Sequence, residues 1–332
     1  MVRIQRFTAR IILVTFAVFS IAALINWDSE AQDSHSQLSR QEAAGAQIRL
    51  SVSVTDEQGR VAPKLSKDHF TILDGKEPQE IRFFEERDEP YSIVFLFDTS
   101  GSMLKTHREL SNILGSNILR FITQTKESTE YSFMTFGERP QILMDWTHNS
   151  SVVGEALNKL ALVRPSGLSA LYDACYLGIE TLRQRSNPRR AIVLLSDGQD
   201  NVSKRSYQRL GELLKQSDVV VYALYTTDPI NDQLGEFGRS VLRELTTVSG
   251  GTVFETFNKS KINELFDSLA MEMRHQYVIG FSPAGLDGKW RTVKIKVKPI
   301  EVPNTSQPNK PNKQMKLTAR TRHGFYAPKP SR

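Results

Sequence analysis

The chain of 332 residues has a single cysteine, Cys175, so neither an intramolecular disulfide nor a cysteine-cluster zinc site is open to it. Its six histidines are scattered and form no HxH or HExxH pair, which argues against a histidine-based metal site. The phosphate loop GxxxxGK[ST], the dinucleotide fingerprint GxGxxG and the nucleophile elbow GxSxG are all missing. No internal repeat of 20–50 residues is visible, which removes solenoids and propellers. The uncharged run near the start, 11–25, would span only about 22 Å as a helix, short of the ~30 Å hydrocarbon core.

What is there is ordinary globular material. Apolar residues make up 39% and charged residues 24%, enough for a packed core and too apolar for wholesale disorder. The net charge of +6 is uneven. Residues 277–332 carry a local +10, residues 1–31 carry +1, and the stretch between them is net acidic at −5. The basic end suits either the solvated face of a strand pair or proximity to anionic lipid or an acidic partner.

Arg3, Arg6 and Arg10 precede the 11–25 run, and Asn26, Asp28 and Glu30 follow it. Basic, then apolar, then polar is the layout of a secretory signal. Ser29-Glu30-Ala31 offers small residues where a signal peptidase reads. Trp27 at the edge of the run keeps an uncleaved anchor as the alternative. Either way the arginines stay inside and the remainder is expected to be exported, in the periplasm, secreted, or anchored facing outward.

The expected organisation follows from shifts in pattern. Residues 1–31 are the signal or anchor, 32–46 a polar linker, and 47–87 a β segment in which Leu50, Val52 and Val54 alternate with polar residues. From 88 to 276 the style is α/β. The apolar runs 92–97, 191–195 and 219–224 read as strands buried on both faces. Between them lie helical patterns, such as Leu110, Ile113, Leu114, Ile118, Phe121 and Ile122, or Leu234, Phe237, Val241, Leu245 and Val248. Strands alternating with helices indicate a doubly wound, mostly parallel α/β sheet. Residues 277–328 return to β: 293–298 alternates strictly, 301–313 is a Pro/Asn-rich loop, and 317–326 reads as one last strand. Each β segment has too little apolar surface alone, so the two are expected to pack as a β-sandwich-like domain with the α/β unit inserted between them.

Ligands of an open α/β sheet bind beyond the carboxyl ends of its strands. After the first apolar strand comes Asp98-Thr99-Ser100-Gly101-Ser102, and after the second comes Ser196-Asp197-Gly198. Between them, Ser166-Gly167-Leu168-Ser169 precedes a helix. One carboxylate and two hydroxyls converging across Gly101 are a hard, oxygen-only donor set, suited to Mg²⁺, with Mn²⁺ or Ca²⁺ as alternatives. Ser169 can add a third hydroxyl and Asp197 a second carboxylate. Neutral hydroxyls leave such a cation incompletely neutralised and ready to attract an acidic group.

These residues resemble the metal-ion-dependent adhesion site of the von Willebrand factor type A (VWA) domain, whose pattern Asp-x-Ser-x-Ser, then Thr, then Asp maps onto Asp98, Ser100, Ser102, Ser169 and Asp197. Further segments over about 48–328 are similar to exported VWFA-related proteins of the acidobacterial type: 70–76, 169–174, 196–201, 276–281 and 322–328. The loop departs from that subfamily in having Gly-Leu-Ser where Gly-Gly-Thr is usual; Ser169 keeps the hydroxyl, and Leu168 stiffens the loop. The resemblance implies a divalent cation bound by those five residues, and capture of a protein partner that offers a carboxylate.

Other readings stand beside this one. Asp98-Thr-Ser-Gly-Ser is also a strand-to-helix turn with capping hydroxyls, Asp197-Gly198 a common turn, and Ser169 a helix N-cap. Asp173 reads as a helix-start charge, Asp200 and Asn201 as loop residues, and Cys175 and Trp146 as packing. A metal-dependent hydrolase with Asp98 as nucleophile is an alternative function, but the haloacid-dehalogenase type needs a second acid where Ser100 stands. A structural envelope protein with an idle metal site is another. The expectation is a non-enzymatic binding protein with no nucleic-acid partner.

Overall fold

The computed structural model describes residues 47–62, 64–225, 235–255, 259–283, 285–303 and 312–329. The signal or anchor segment 1–31, the 32–46 linker and Leu234 lie outside the described residues. The described residues divide into two compact units: Gln47, 282–283, 285–288 and 327–329 belong to the smaller, and the described residues within 48–281 and 289–326 to the larger. In the smaller unit the Gly288 N–H donates to the Pro328 carbonyl.

The centre of the larger unit is a six-stranded sheet. The strands are β5 (Tyr91–Asp98), β6 (Glu130–Phe136), β7 (Pro140–Thr147), β8 (Arg189–Ser196), β9 (Val219–Tyr225) and β10 (Val253–Glu255), in the order β10-β9-β8-β5-β6-β7. All neighbours are parallel except β6 and β7. Phe95 stands beside Phe133 on one side and Val193 on the other. Because successive side chains of a strand point to opposite faces, β5 divides its apolar residues between two cores. Ile93, Phe95 and Phe97 face α1 (Leu104–Gln124), α2 (Ser150–Leu162) and α6 (Lys259–Arg274). Val94 and Leu96 face α3 (Leu171–Arg183), α4 (Tyr207–Lys215) and α5 (Gly235–Ser249). The near-continuous apolar runs are thus the mark of strands covered on both faces. Cys175 lies in the second core, where burial pushes its thiol up to about 12, so it is a packing residue rather than a reactive one.

Two antiparallel sheets accompany it. One has the order β15-β1-β11-β4, from β1 (Ile48–Asp56), β4 (Phe83–Arg87), β11 (Gln276–Phe281) and β15 (Leu317–Arg320). The other has the order β16-β12-β2-β3, from β2 (Phe70–Asp74), β3 (Glu77–Gln79), β12 (Trp290–Val297) and β16 (Gly324–Tyr326). Early and late strands therefore pair directly, Leu50 with Ile279 and Ile72 with Ile295. The chain leaves through β4 into β5 and returns through α6 into β11, and β4 and β11 are themselves partners.

Three details depart from the sequence reading. Helix α2 was not expected; Asn149 caps it, its side chain accepting from the Ser151 N–H, and Val153, Ala156, Leu157 and Leu160 face the core at helical spacing. The expected last strand 317–326 is two strands in different sheets. Between them residues 321–323 bend around the end of α5, where a Cβ on Gly250 would lie 2.6 Å from the Arg322 nitrogen and the His323 N–H donates to the Val248 carbonyl. The expected loop 301–313 begins and ends in a hairpin of β13 (Ile300–Val302) and β14 (Lys313–Met315), with 304–311 outside the described residues.

Leu96 is fully buried in the second core. Leu96→Ala is expected to cost about 2–5 kcal/mol, read as a lower urea midpoint at unchanged slope.

Candidate metal centre

The central strands β5 and β8 end side by side at Asp98 and Ser196. The backbone ties the loops beyond them into one platform. Thr99 N–H donates to the Phe136 carbonyl at 2.7 Å, Gly101 N–H to the Gly167 carbonyl at 3.0 Å, and Ser166 N–H to the Thr99 carbonyl at 3.0 Å. Ala170 N–H donates to the Gly137 carbonyl at 2.7 Å. Gly167 adopts φ +73°, a left-handed conformation that glycine takes without strain. This stitching holds the stretch carrying Ser169 against the stretch carrying Ser100 and Ser102.

The side chains converge on Asp98. Its Oδ1 accepts from the Ser100 N–H at 2.9 Å and the Ser100 hydroxyl at 2.6 Å, and the Ser102 hydroxyl lies 3.1 Å from that of Ser100. Its Oδ2 accepts from the Ser196 hydroxyl at 2.7 Å, and Ser196 Oγ in turn accepts from the Gly198 N–H at 3.0 Å. Ser196 had no role in the sequence reading beyond membership of the Ser-Asp-Gly run. Its place as the last residue of a buried strand beside Asp98 was the available signal. Asp98, Ser100, Ser169, Ser196 and Asp197 are all buried, whereas Ser102 is exposed.

Two oxygens have nothing to bond. Ser169 Oγ and Asp197 Oδ2 are out of water and without a protein partner, while Asp197 Oδ1 accepts from the Gln199 N–H. Unsatisfied buried oxygens are costly and call for an explanation. Asp98 carries the same message electrostatically. Burial pushes its carboxyl from 3.8 up to about 6, and the Asp197 carboxylate pushes the same way against hydrogen bonds from Ser100 and Ser196. Two carboxylates and three hydroxyls with spare lone pairs fit a hard divalent cation and not a soft one. Among the described residues no group of three or more His, Cys, Asp and Glu gathers as a metal site, here or elsewhere, so the platform's donor set rests on its hydroxyls as well as on its two acids.

The neighbouring polar residues hold the platform. Asn201 and Ser169 bond reciprocally: Ser169 N–H donates to Asn201 Oδ1 and Asn201 N–H to the Ser169 carbonyl. Asp200 accepts from the Tyr172 N–H at the start of α3. Asp173 accepts from the Lys204 and Arg205 N–H groups and from the Arg205 guanidinium, which together hold its carboxyl below the usual range despite burial. Trp146 lies under the Arg185 guanidinium, 4.9 Å from ring centre to cation, as part of the packing. Gly198, at φ +78°, and Gly238 on α5 approach so closely that a Cβ on Gly238 would lie 2.1 Å from the Asp197 carbonyl oxygen.

A model of the von Willebrand factor type A domain matches residues 92–267. The chain belongs to the von Willebrand factor type A domain family. The matched span runs from β5 into α6 and includes all five candidate ligands. No curated protein matches the chain. Among solved structures it is similar to the PilB minor pilin from Streptococcus sanguinis, at 14% identity and TM-score 0.46, over 56% of this chain and 62% of that one. It is similar to a von Willebrand factor type A protein from Catenulispora acidiphila, at 11% identity and TM-score 0.44, over 78% and 73%. It is also similar to proximal thread matrix protein 1 from the mussel byssus with a zinc-occupied MIDAS motif, at 17% identity and TM-score 0.46, over 60% and 50%. The chain thus spans less than two thirds of the pilin and about half of the byssus protein.

The raised Asp98 carboxyl makes the metal-free VWA domain sensitive to pH. A carboxyl whose folded value lies above its unfolded one contributes stability at low pH and loses it as pH rises towards the folded value. Metal-free protein is therefore expected to lose about 3 kcal/mol between pH 4 and pH 7 from this group. Asp98→Asn is expected to be the more stable form at pH 8 and to lose that advantage below about pH 4, measured by urea unfolding in EDTA.

Proposed function

We propose that this VWA protein binds a divalent cation, Mg²⁺ by preference, through Asp98, Ser100, Ser102, Ser169 and Asp197, and uses it to capture a carboxylate of a protein partner in adhesion or assembly. The observation that carries this reading is the pair of buried, unpartnered oxygens, Ser169 Oγ and Asp197 Oδ2, beside a carboxylate that burial and its neighbour disfavour as an anion. A cation relieves both at once. When bound it supplies a positive centre that three neutral hydroxyls leave underneutralised, and an incoming carboxylate completes it.

The surroundings suit a protein partner. Three large apolar side chains near the platform are exposed: Leu104 at 62%, Leu168 at 49% and Phe237 at 64%. Leu104 follows the Ser102 turn, Leu168 adjoins Ser169, and Phe237 adjoins the Gly238 that touches the Asp197 loop. A groove of about 780 Å³ also runs from Leu168 and Val202 towards Tyr176 and Arg205. Apolar groups around a charged centre favour a macromolecular ligand over a free ion. Catalysis is not part of the proposal. Ser100, where a second acid would stand in an aspartyl phosphohydrolase, instead donates its hydroxyl to Asp98.

Export is part of the same proposal and rests on the charge and hydropathy pattern of residues 1–31. Among the described residues no helix is long and apolar enough to cross a membrane.

Isothermal titration with Mg²⁺ and Mn²⁺, with circular dichroism alongside, tests the metal. Asp98→Ala is expected to weaken binding at least about tenfold with the fold retained; unchanged affinity contradicts the assignment. Phe237→Ser and Leu168→Ser are expected to leave the Mg²⁺ titration unchanged while reducing EDTA-sensitive crosslinking to an envelope partner. Crosslinking that ignores EDTA contradicts capture through the metal.

A further inference from the structure

The opposite end of the central sheet holds a second charged concavity. At the amino ends of β5, β8 and β9 lies a cavity of about 210 Å³. Its wall includes Arg49 and Ser51 of β1, Arg189 and Arg190 at the start of β8, and Arg322 from the link between β15 and β16, with Asp218 as its acid. Four arginines thus line it; Glu89 pairs with Arg189 at 2.8 Å, and Asp218, 78% exposed and 3.6 Å from Arg322 Nη1, is screened by water.

The internal pairing of Arg189, Arg190 and Arg322 is incomplete. Arg189 is nine-tenths buried; its Nε donates to Glu89 at 2.8 Å and its Nη1 to the Ser51 hydroxyl, but its Nη2 is out of water with no acceptor. Glu89 is also engaged by Arg87 at 2.8 Å. Arg190 donates from Nη2 to the Arg185 carbonyl at 2.7 Å, and its Nε has no acceptor. Arg322 donates from Nη2 to the Lys215 carbonyl, and its Nε likewise has none. Two of these partners are carbonyls, which satisfy a hydrogen bond without cancelling a charge. Burial also pulls the Arg322 guanidinium below its ordinary value.

We propose that this cavity binds a phosphate-type oxoanion. The planar fork of a guanidinium matches two oxygens of such a group, and several forks around one cavity match a dianion better than a monocarboxylate. Arg190, whose hydrogen-bond acceptor is a neutral carbonyl, and Arg322, whose acid partner is exposed to water, leave positive charge in the wall that favours the dianion further. The site lies at the end of the sheet away from Asp98 and is independent of the cation there. The phosphate group is either free or carried on a lipid headgroup.

The full chain is titrated by calorimetry and by thermal melting in EDTA, so that the metal centre plays no part. The probes are inorganic phosphate against chloride at equal ionic strength, and phosphatidylcholine vesicles with and without phosphatidic acid. Arg190→Gln and Arg322→Gln are compared with the parent, with circular dichroism in chloride as the check on folding; Arg190→Gln serves alone if Arg322→Gln does not fold. Phosphate is expected to raise the melting temperature of the parent, and each variant is expected to bind it at least about tenfold more weakly. Saturable phosphate binding lost in the variants supports a free ligand. Binding to phosphatidic-acid vesicles that needs the arginines and is competed by phosphate supports a headgroup. Absence of binding to either probe, or binding equal in parent and variants, overturns the proposal.

Discussion

A carboxylate almost entirely out of water ends the middle strand of this sheet, and a second one follows the end of the neighbouring strand. Charge of one sign in a place of low polarisability is unfavourable unless something offsets it. The hydroxyls of Ser100 and Ser196 offset part of it through the two oxygens of Asp98. They do nothing for Asp197 Oδ2 or Ser169 Oγ. The platform therefore carries an electrostatic strain that, on the proposed function, a cation relieves, and the rest of the domain keeps that strain from dissipating. Helices α3 and α5 press on the loops through Tyr172, Asp173 and Gly238, and the backbone bonds around Gly101 and Gly167 leave the loops little room to spread.

The doubly covered sheet explains why the strain sits where it does. Strands apolar on both faces leave no lateral surface for polar chemistry, so charged groups gather at the two ends. At the carboxyl ends the loops bring acids and hydroxyls. At the amino ends the strand starts and the flanking β strands bring arginines. The packed layers between them act as a spacer.

Much of this was legible in the residues. The runs that became β5, β8 and β9 are too apolar for any other place, and the two aspartates with their small neighbours mark strand ends. Less legible was what depends on three-dimensional neighbours. Ser196 looks like any serine before an Asp-Gly turn until β8 lies beside β5. Helix α2 also carries apolar residues on its outer face, Val152 and Leu162, which blur the spacing of Val153, Ala156, Leu157 and Leu160. The break at 321–323 has no glycine or proline of its own; it comes from the close approach of Gly250 on another element. The arginine-lined cavity was invisible because Arg49, Arg189 and Arg322 are far apart in the chain.

Anomalous diffraction from crystals of the protein grown with Mn²⁺ tests the central claim most directly. The account predicts one strong peak at about 2–2.3 Å from oxygens of the Asp98, Ser100 and Ser102 set, with Ser169 and Asp197 bound directly or through water. A fully occupied peak elsewhere, or none at this platform while Asp98 keeps only its serine partners, would contradict it.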